Sequence, residues 1–206
     1  MVKKNKKVYV FIDASNLWEA QKAHGMMFDY EKLKFFLSNY FLANKLKVFY
    51  YTAYPKNGTR DYSLESKHKF FTYLKKGLGF VVRKKELKRI KVITEGGEII
   101  EEKGNMDVEL AIDVIHFKNK YDTAVFFTGD ADFLALVSYV RNGGKKAYVF
   151  SSRNNISNEL RTGSDGYIDV LKIKDDIWGR KLQHKKKSSF SRRMILGCNT
   201  RSVMAN

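Results

Sequence analysis

Short, wholly apolar runs alternate along this chain with longer stretches of helical periodicity, and that alternation restricts the fold more than any other feature. Val8-Tyr9-Val10-Phe11-Ile12 and Ala124-Val125-Phe126-Phe127 have no polar face, as expected of strands covered on both sides in a parallel sheet. Lys47–Tyr54, Phe80–Val82, Lys146–Phe150 and Tyr167–Val170 are further β-rich runs. Between them Asp29 can cap a helix on which Leu33, Phe36, Leu37, Tyr40 and Phe41 recur at i, i+3, i+4. Tyr62–Leu78, Asn105–Lys118, Phe133–Arg141 and Ser157–Arg161 also read as helical, with Gly77, Gly79 and Gly143-Gly144 as stop signals. Leu87–Glu95 and Glu98–Glu102 flank Gly96-Gly97, a hairpin signal. The pattern predicts an α/β domain: a mainly parallel, doubly wound (Rossmannoid) sheet with helices on both faces, plus a β-hairpin insertion.

Of 206 residues 44% are hydrophobic and 14% aromatic, enough to bury a core and to exclude wholesale disorder. The folded domain is expected over residues 1–179. From Arg180 onward Lys185-Lys186-Lys187-Ser188-Ser189, Arg192 and Arg193 stand among few core-forming residues, so 180–206 is expected to be a basic, flexible tail. The formal charge of +17 and pI of about 9.8 favour a polyanionic partner, nucleic acid first; the competing explanation is a lysine excess that only maintains solubility. The lone Cys198 excludes an internal disulfide and a cysteine-based zinc site. His24, His68, His116 and His184 are too scattered to show a metal-binding spacing. No apolar run approaches the roughly 20 residues of a membrane span, and Val8–Ile12 is too short for a signal-peptide core. A soluble, cytoplasmic protein without membrane contact is expected.

In open parallel sheets ligands bind beyond the carboxyl ends of the strands, where the strand order reverses. Asp13 ends the first apolar run, and Asp130 and Asp132 follow another in Thr128-Gly129-Asp130-Ala131-Asp132-Phe133. If the two strands are central neighbours, three carboxylates converge on one edge. Basic side chains must then offset them, or a hard divalent cation must, and Mg²⁺ or Mn²⁺ suits an all-carboxylate set with no adjacent histidine or cysteine. Each aspartate also has a purely structural explanation as a helix cap, Asp132 for Phe133–Arg141. An Asp-x-Asp pair alone is shared by glycosyltransferases and many loops. A haloacid-dehalogenase phosphatase is disfavoured because Asp13 is followed by Ala14-Ser15 rather than x-Asp, and a dinucleotide enzyme because no G-x-G-x-x-G follows the first run.

Phe11-Ile12-Asp13-Ala14-Ser15-Asn16, Lys103-Gly104-Asn105-Met106-Asp107-Val108-Glu109-Leu110 and Thr128-Gly129-Asp130-Ala131-Asp132-Phe133, with a weaker segment from Ser157 through Leu160 to Asp165, give the sequence its resemblance. Over roughly residues 7–172 it resembles the NYN-domain proteins, a branch of the PIN-like nuclease superfamily. The resemblance implies a PIN-like fold and a metal-dependent ribonuclease site with Asp13, Asp107, Asp130 and Asp132 as the acidic, metal-holding cluster. Asn16 and Thr128 would be polar residues orienting ligands and water; Thr128 stands where the family often has serine and keeps the hydroxyl. Segment 180–206 has no counterpart in the resemblance.

Helical geometry places Asp107 in a row with Leu110, Ala111 and Val114, so it is the odd carboxylate on an apolar face, where a specific partner is expected. Asp113 lies about 240° away from it, in a polar stripe with Glu109 and His116, and is expected to be solvated. Lys103 can neutralise the cluster or hold a phosphate. Arg83, Lys84, Lys85, Lys88, Arg89 and Lys91 crowd the approach to the hairpin and are expected to form a positive wall for a phosphate backbone; the alternative is protection of an edge strand. Tyr50, Tyr51 and Tyr54 are candidates for base stacking, with core packing favoured for at least two. The activity expected is endonucleolytic cleavage of single-stranded or loop RNA, with DNA and a homo-oligomer left open. The rival is a non-catalytic RNA- or protein-binding module on the same fold.

Overall fold

The computed structural model describes residues 5–182 apart from 61–62, 95–96 and 174. Six parallel strands form the central sheet: β1 (Lys7–Asp13), β3 (Lys45–Tyr54), β4 (Val81–Glu86), β7 (Thr123–Phe127), β8 (Lys146–Ser151) and β9 (Gly166–Asp169), in the order β4-β3-β1-β7-β8-β9. The first strand is therefore central, and the order reverses between β1 and β7, where Ile12 is level with Phe127.

Strand β1 is buried from Val8 to Ile12 because it is covered twice. Val8, Val10 and Ile12 pack under α1 (Ala14–His24), α2 (Tyr30–Tyr40) and α3 (Glu65–Thr72), through Leu17, Leu33, Leu37 and Phe71. Tyr9 and Phe11 point to the other layer, against α4 (Asp107–His116) and α5 (Leu134–Asn142) through Leu110, Val114, Val137 and Val140. Phe11 stacks between Phe49 and Phe126, at 5.2 and 5.7 Å. A fully buried side chain of this size contributes about 1.5–3 kcal/mol relative to exposure, so the central strand anchors both cores and fixes its own carboxyl end.

Local signals set the element boundaries. Asp29 caps α2, its Oδ1 accepting from the Glu31 and Lys32 amides at 3.1 Å each. Helix α1 is weakly announced in sequence, since only Leu17, Ala20 and Gln21 are buried; it ends at Gly25, whose φ of 75° suits glycine. The short helix expected over Ser157–Arg161 runs as α6 (Asn158–Gly163), with Ser157 as its cap rather than its first turn.

The basic run divides between two sheets. Arg83, Lys84 and Lys85 lie on β4, the edge strand of the central sheet, and only Lys88, Arg89 and Lys91 lie on the antiparallel hairpin of β5 (Lys88–Thr94) and β6 (Gly97–Lys103). A third small sheet pairs β2 (Met26–Phe28) with β10 (Trp178–Lys181). Trp178 is 1% exposed and stacks on Phe28 at 4.3 Å, so Arg180 and Lys181 belong to a paired strand rather than to a tail. The remainder of the expected tail, 183–206, lies outside the described residues. No helix among the described residues is long and apolar enough to cross a membrane.

Candidate active site

The carboxyl ends of β1 and β7 lie side by side at the reversal point. Asp13, the last residue of β1, caps α1: its Oδ1 accepts from the Ser15 amide at 3.0 Å and the Ser15 hydroxyl at 2.6 Å. Its Oδ2 accepts from the Asn16 amide nitrogen at 2.7 Å. The other end of the Asn16 amide bridges to β7, its Oδ1 accepting from the Gly129 amide at 2.7 Å. Asn16 thus joins the two strand ends on which the expected carboxylates stand.

Thr128, 1% exposed, turns the chain after β7, its hydroxyl accepting from the Asp130 amide at 3.3 Å. Asp130 caps the 3-10 turn Ala131–Phe133, its Oδ1 accepting from the Asp132 amide at 3.0 Å. The cap before α5 is therefore Asp130 and not Asp132, because the short turn intervenes and brings the helix start to Leu134. Asp130 and Asp132 are both exposed.

Asp107 opens α4, half-buried, and Oδ2 accepts from the Asn105 side chain at 2.6 Å. Its carboxyl is held above the usual carboxylate range, first by burial and then by the negative charges of Asp13, Asp130 and Asp132; Lys85 acts in the opposite sense. Asp13, Asp130 and Asp132 thus lie within electrostatic reach of Asp107. Among the described residues, no three histidine, cysteine or carboxylate side chains stand close enough to hold one ion in this arrangement.

Asp113 corrects the expectation of a solvated residue. It is 7% exposed, accepting at Oδ2 from the Tyr51 hydroxyl at 3.0 Å and from Arg83 Nε at 2.9 Å, while Oδ1 accepts from Arg83 Nη2 at 3.1 Å. Tyr51 and Arg83 arrive from β3 and β4 and draw the carboxylate inward. The outward face of α4 carries Val108, Ile112 and Ile115 instead.

The expected positive wall is largely paired. Lys85 donates to both Glu109 oxygens at 2.9 and 3.2 Å; Lys91 meets Glu98 at 2.7 Å, Lys103 meets Glu101 at 3.0 Å and Arg89 approaches Glu102 at 3.9 Å. Lys84 lies over the Tyr54 and Phe71 rings. Arg83 is committed to Asp113. Tyr50 and Tyr51 are buried, which leaves neither ring open to a base. Lys85, Lys88 and Lys103 nevertheless share a cleft of about 520 Å³ with Glu86, Gly104 and Asn105, beside the residue that holds Asp107.

Asn155 is the site residue that sequence reasoning missed. Its side chain donates to Asn16 Oδ1 at 2.5 Å, completing a relay from β8's following loop through Asn16 to Asp13. Gly129 permits this approach, since any Cβ there would collide with the Asn155 carbonyl. The available signal was position: Asn154-Asn155 follows a parallel strand at its carboxyl end, as Asp13 does.

Residues 7–172 match the family model of the NYN domain. The chain belongs to the NYN-domain family. It is 32% identical over 168 residues to Low amplitude and bright protein LabA of Synechococcus elongatus, covering 82% of this chain and 86% of that one. It is 33% identical over 101 residues to an uncharacterised protein of Methanocaldococcus jannaschii, MJ0482, covering 48% of this chain and 42% of that protein. A crystal structure of a protein of unknown function from Vibrio parahaemolyticus, VPA0982, superposes with a TM-score of 0.64 at 21% identity, covering 86% of this chain and 99% of that one. This likeness and the parallel sheet agree with the PIN-like α/β fold expected from the sequence. Membership places the chain with a nuclease-type, RNA-related domain.

Proposed function

We propose that this NYN domain is a metal-dependent endoribonuclease acting on single-stranded or loop RNA. One observation carries the reading: Asp107 is held above the usual carboxylate range by burial and by three other aspartates at the reversal point of the sheet. A fold tolerates such repulsion at a cost in stability, and a cationic ligand would offset it. The donor set is all oxygen, which suits Mg²⁺ or Mn²⁺, and the side chains of Asp130 and Asp132 are exposed to solvent, from which an ion would arrive.

Asp13, Asp107, Asp130 and Asp132 would hold the cation. When bound, a divalent ion supplies an activated water and charge stabilisation on the scissile phosphate. The chain's own part is positional. Asn16 fixes the Asp13 carboxylate from one side and Ser15 from the other, so Asp13 cannot rotate away. Thr128 and the turn it stabilises set where Asp130 and Asp132 project. Phosphates flanking the cut would lie against Lys88 and Lys103 in the basic cleft.

A second reading, RNA binding without cleavage, is favoured by the compact hydrogen bonding of Asp13, both of whose oxygens already have partners. Labelled single-stranded RNA incubated with Mn²⁺, Mg²⁺ or EDTA decides between them. Metal-dependent cutting that falls at least about 100-fold in Asp130→Asn supports the nuclease. Binding without cutting in either metal supports the module, and retained cutting in Asp13→Asn overturns the proposed site.

A further inference from the structure

Two clefts with different chemistry flank the acidic cluster on the same edge of the sheet. One, at the ends of β3 and β4, is lined by Lys85, Lys88 and Lys103 with Glu86, and of these lysines Lys85 and Lys103 also meet Glu109 and Glu101. The other lies against Asp130 at the ends of β7 and β8, has a volume of about 520 Å³, and is lined by Asp130 itself together with Asn16, Glu19, Asn154, Asn155 and Ser157. No lysine or arginine lines it. Side-chain amides, two serine hydroxyls and the carboxylates of Glu19 and Asp130 give directional donors and acceptors without the positive charge that would hold a phosphate. The two clefts therefore suit the two alternating parts of a nucleic-acid strand: one its charged backbone, the other an uncharged hydrogen-bonding group.

We propose that the asparagine-lined cleft is a nucleobase pocket, and that a single RNA strand crosses the sheet edge from β4 toward β8, perpendicular to the strands. This rests on the nuclease reading above and adds to it that one base is selected and by which residues. Four strand spacings separate β4 from β8 in the order β4-β3-β1-β7-β8, about 19 Å at ~4.8 Å each, room for several nucleotides. Phosphates meet the lysines at one end, the scissile phosphate lies over the aspartates, and the base on the β8 side enters the pocket. The pocket is rigidly built on its inner wall: the Ser157 amide donates to the Gly129 carbonyl at 2.9 Å, and the Asn155 and Ile156 amides to the Ser152 carbonyl at 3.0 Å each. Asn155 thus contributes twice, positioning Asn16 through its amide nitrogen and lining the pocket. Asn154, which is exposed, and Glu19 on α1, whose Oε1 meets Lys22 at 2.7 Å, share this cleft with Asp130 and are placed to read a base edge.

The test measures binding in EDTA of four short single-stranded RNAs that differ only in one base, by fluorescence anisotropy, for the full chain and for Asn154→Ala, Glu19→Gln and Lys88→Ala. The wild type is expected to prefer one base by about threefold to tenfold, the scale of one or two net hydrogen bonds. Asn154→Ala or Glu19→Gln should level that preference, whereas Lys88→Ala should weaken all four RNAs alike and flatten the salt dependence. A wild type indifferent to the base, or a preference untouched by both pocket variants, overturns the pocket. If preference is lost in the variants but no RNA is cut with any metal, the pocket stands and the nuclease reading falls. If RNA is cut and the variants keep the wild-type preference, the nuclease stands and the pocket falls. Absence of RNA binding overturns both.

Discussion

Helix α4 carries two aspartates with opposite fates. Asp113, six residues after Asp107, is buried yet compensated: Arg83 meets it with two hydrogen bonds and Tyr51 with a third. The guanidinium of Arg83 is held above its usual value, chiefly by that hydrogen bond, and the Tyr51 hydroxyl is pushed far up, first by burial and then by the neighbouring carboxylate. Asp107 is less buried yet worse served, with Asn105 as its hydrogen-bond donor and three like charges around it. A buried carboxylate with a full set of donors is structural, tying α4 to β3 and β4. A carboxylate left among like charges, with Lys85 acting against them, is where the proposed cation would offset the repulsion.

The contrast breaks most easily at Asp113. Replacement by Asn leaves Arg83 unpaired and Tyr51 partly so, and should cost about 2–3 kcal/mol in urea unfolding, with undiminished stabilisation by metal. If Asp113→Asn instead removes the metal response at unchanged stability, the two residues have been assigned in reverse. Next in size is the metal itself. Mn²⁺ at 100 times its dissociation constant should stabilise the wild type by about 2.7 kcal/mol, and a melting curve indifferent to millimolar metal would remove the reason given for the strain at Asp107.

Tyr51→Phe should cost about 1.5 kcal/mol, one hydrogen bond to a buried carboxylate, with no effect on RNA cleavage. The Asp107→Asn substitution should move stability the other way, raising it by about 0.5 kcal/mol without metal, the scale of a like-charge contact near a surface. Its placement in the first turn of α4 makes a negative charge favourable to the helix, but the upward displacement of its carboxyl shows that repulsion and burial prevail.

The smallest effect is a pH dependence. Because the folded-state value of Asp107 is raised, the folded protein binds the extra proton more tightly than the unfolded chain. Its destabilisation is absent below the ordinary carboxylate value, 3.8, and develops as pH rises from there through the raised folded value. The stability difference between Asp107→Asn and wild type should therefore grow across the acid range and then level off. A difference that shrinks with rising pH would contradict the sign of the shift.

Much of this was legible in sequence because the information is local. A run such as Val8–Ile12 cannot be exposed on either face, so a doubly covered parallel strand follows, and Asp13 at its end follows with it. Ser157 and Asp29 cap helices through amides two or three residues away, contacts that spacing alone specifies. Tertiary structure decided what depends on remote partners. Helical geometry placed Asp113 away from Asp107, but only the arrival of Tyr51 and Arg83, 62 and 30 residues distant, turned that side inward. The basic run looked continuous until Arg83–Lys85 joined the central sheet and Lys88–Lys91 the hairpin. Asn155 acquired its place only when β8 settled beside β7 and brought it to Asn16, 139 residues away. Periodicity records which faces avoid water, a property of each segment; charge compensation depends on which segments meet, and that is fixed only when the sheet is assembled.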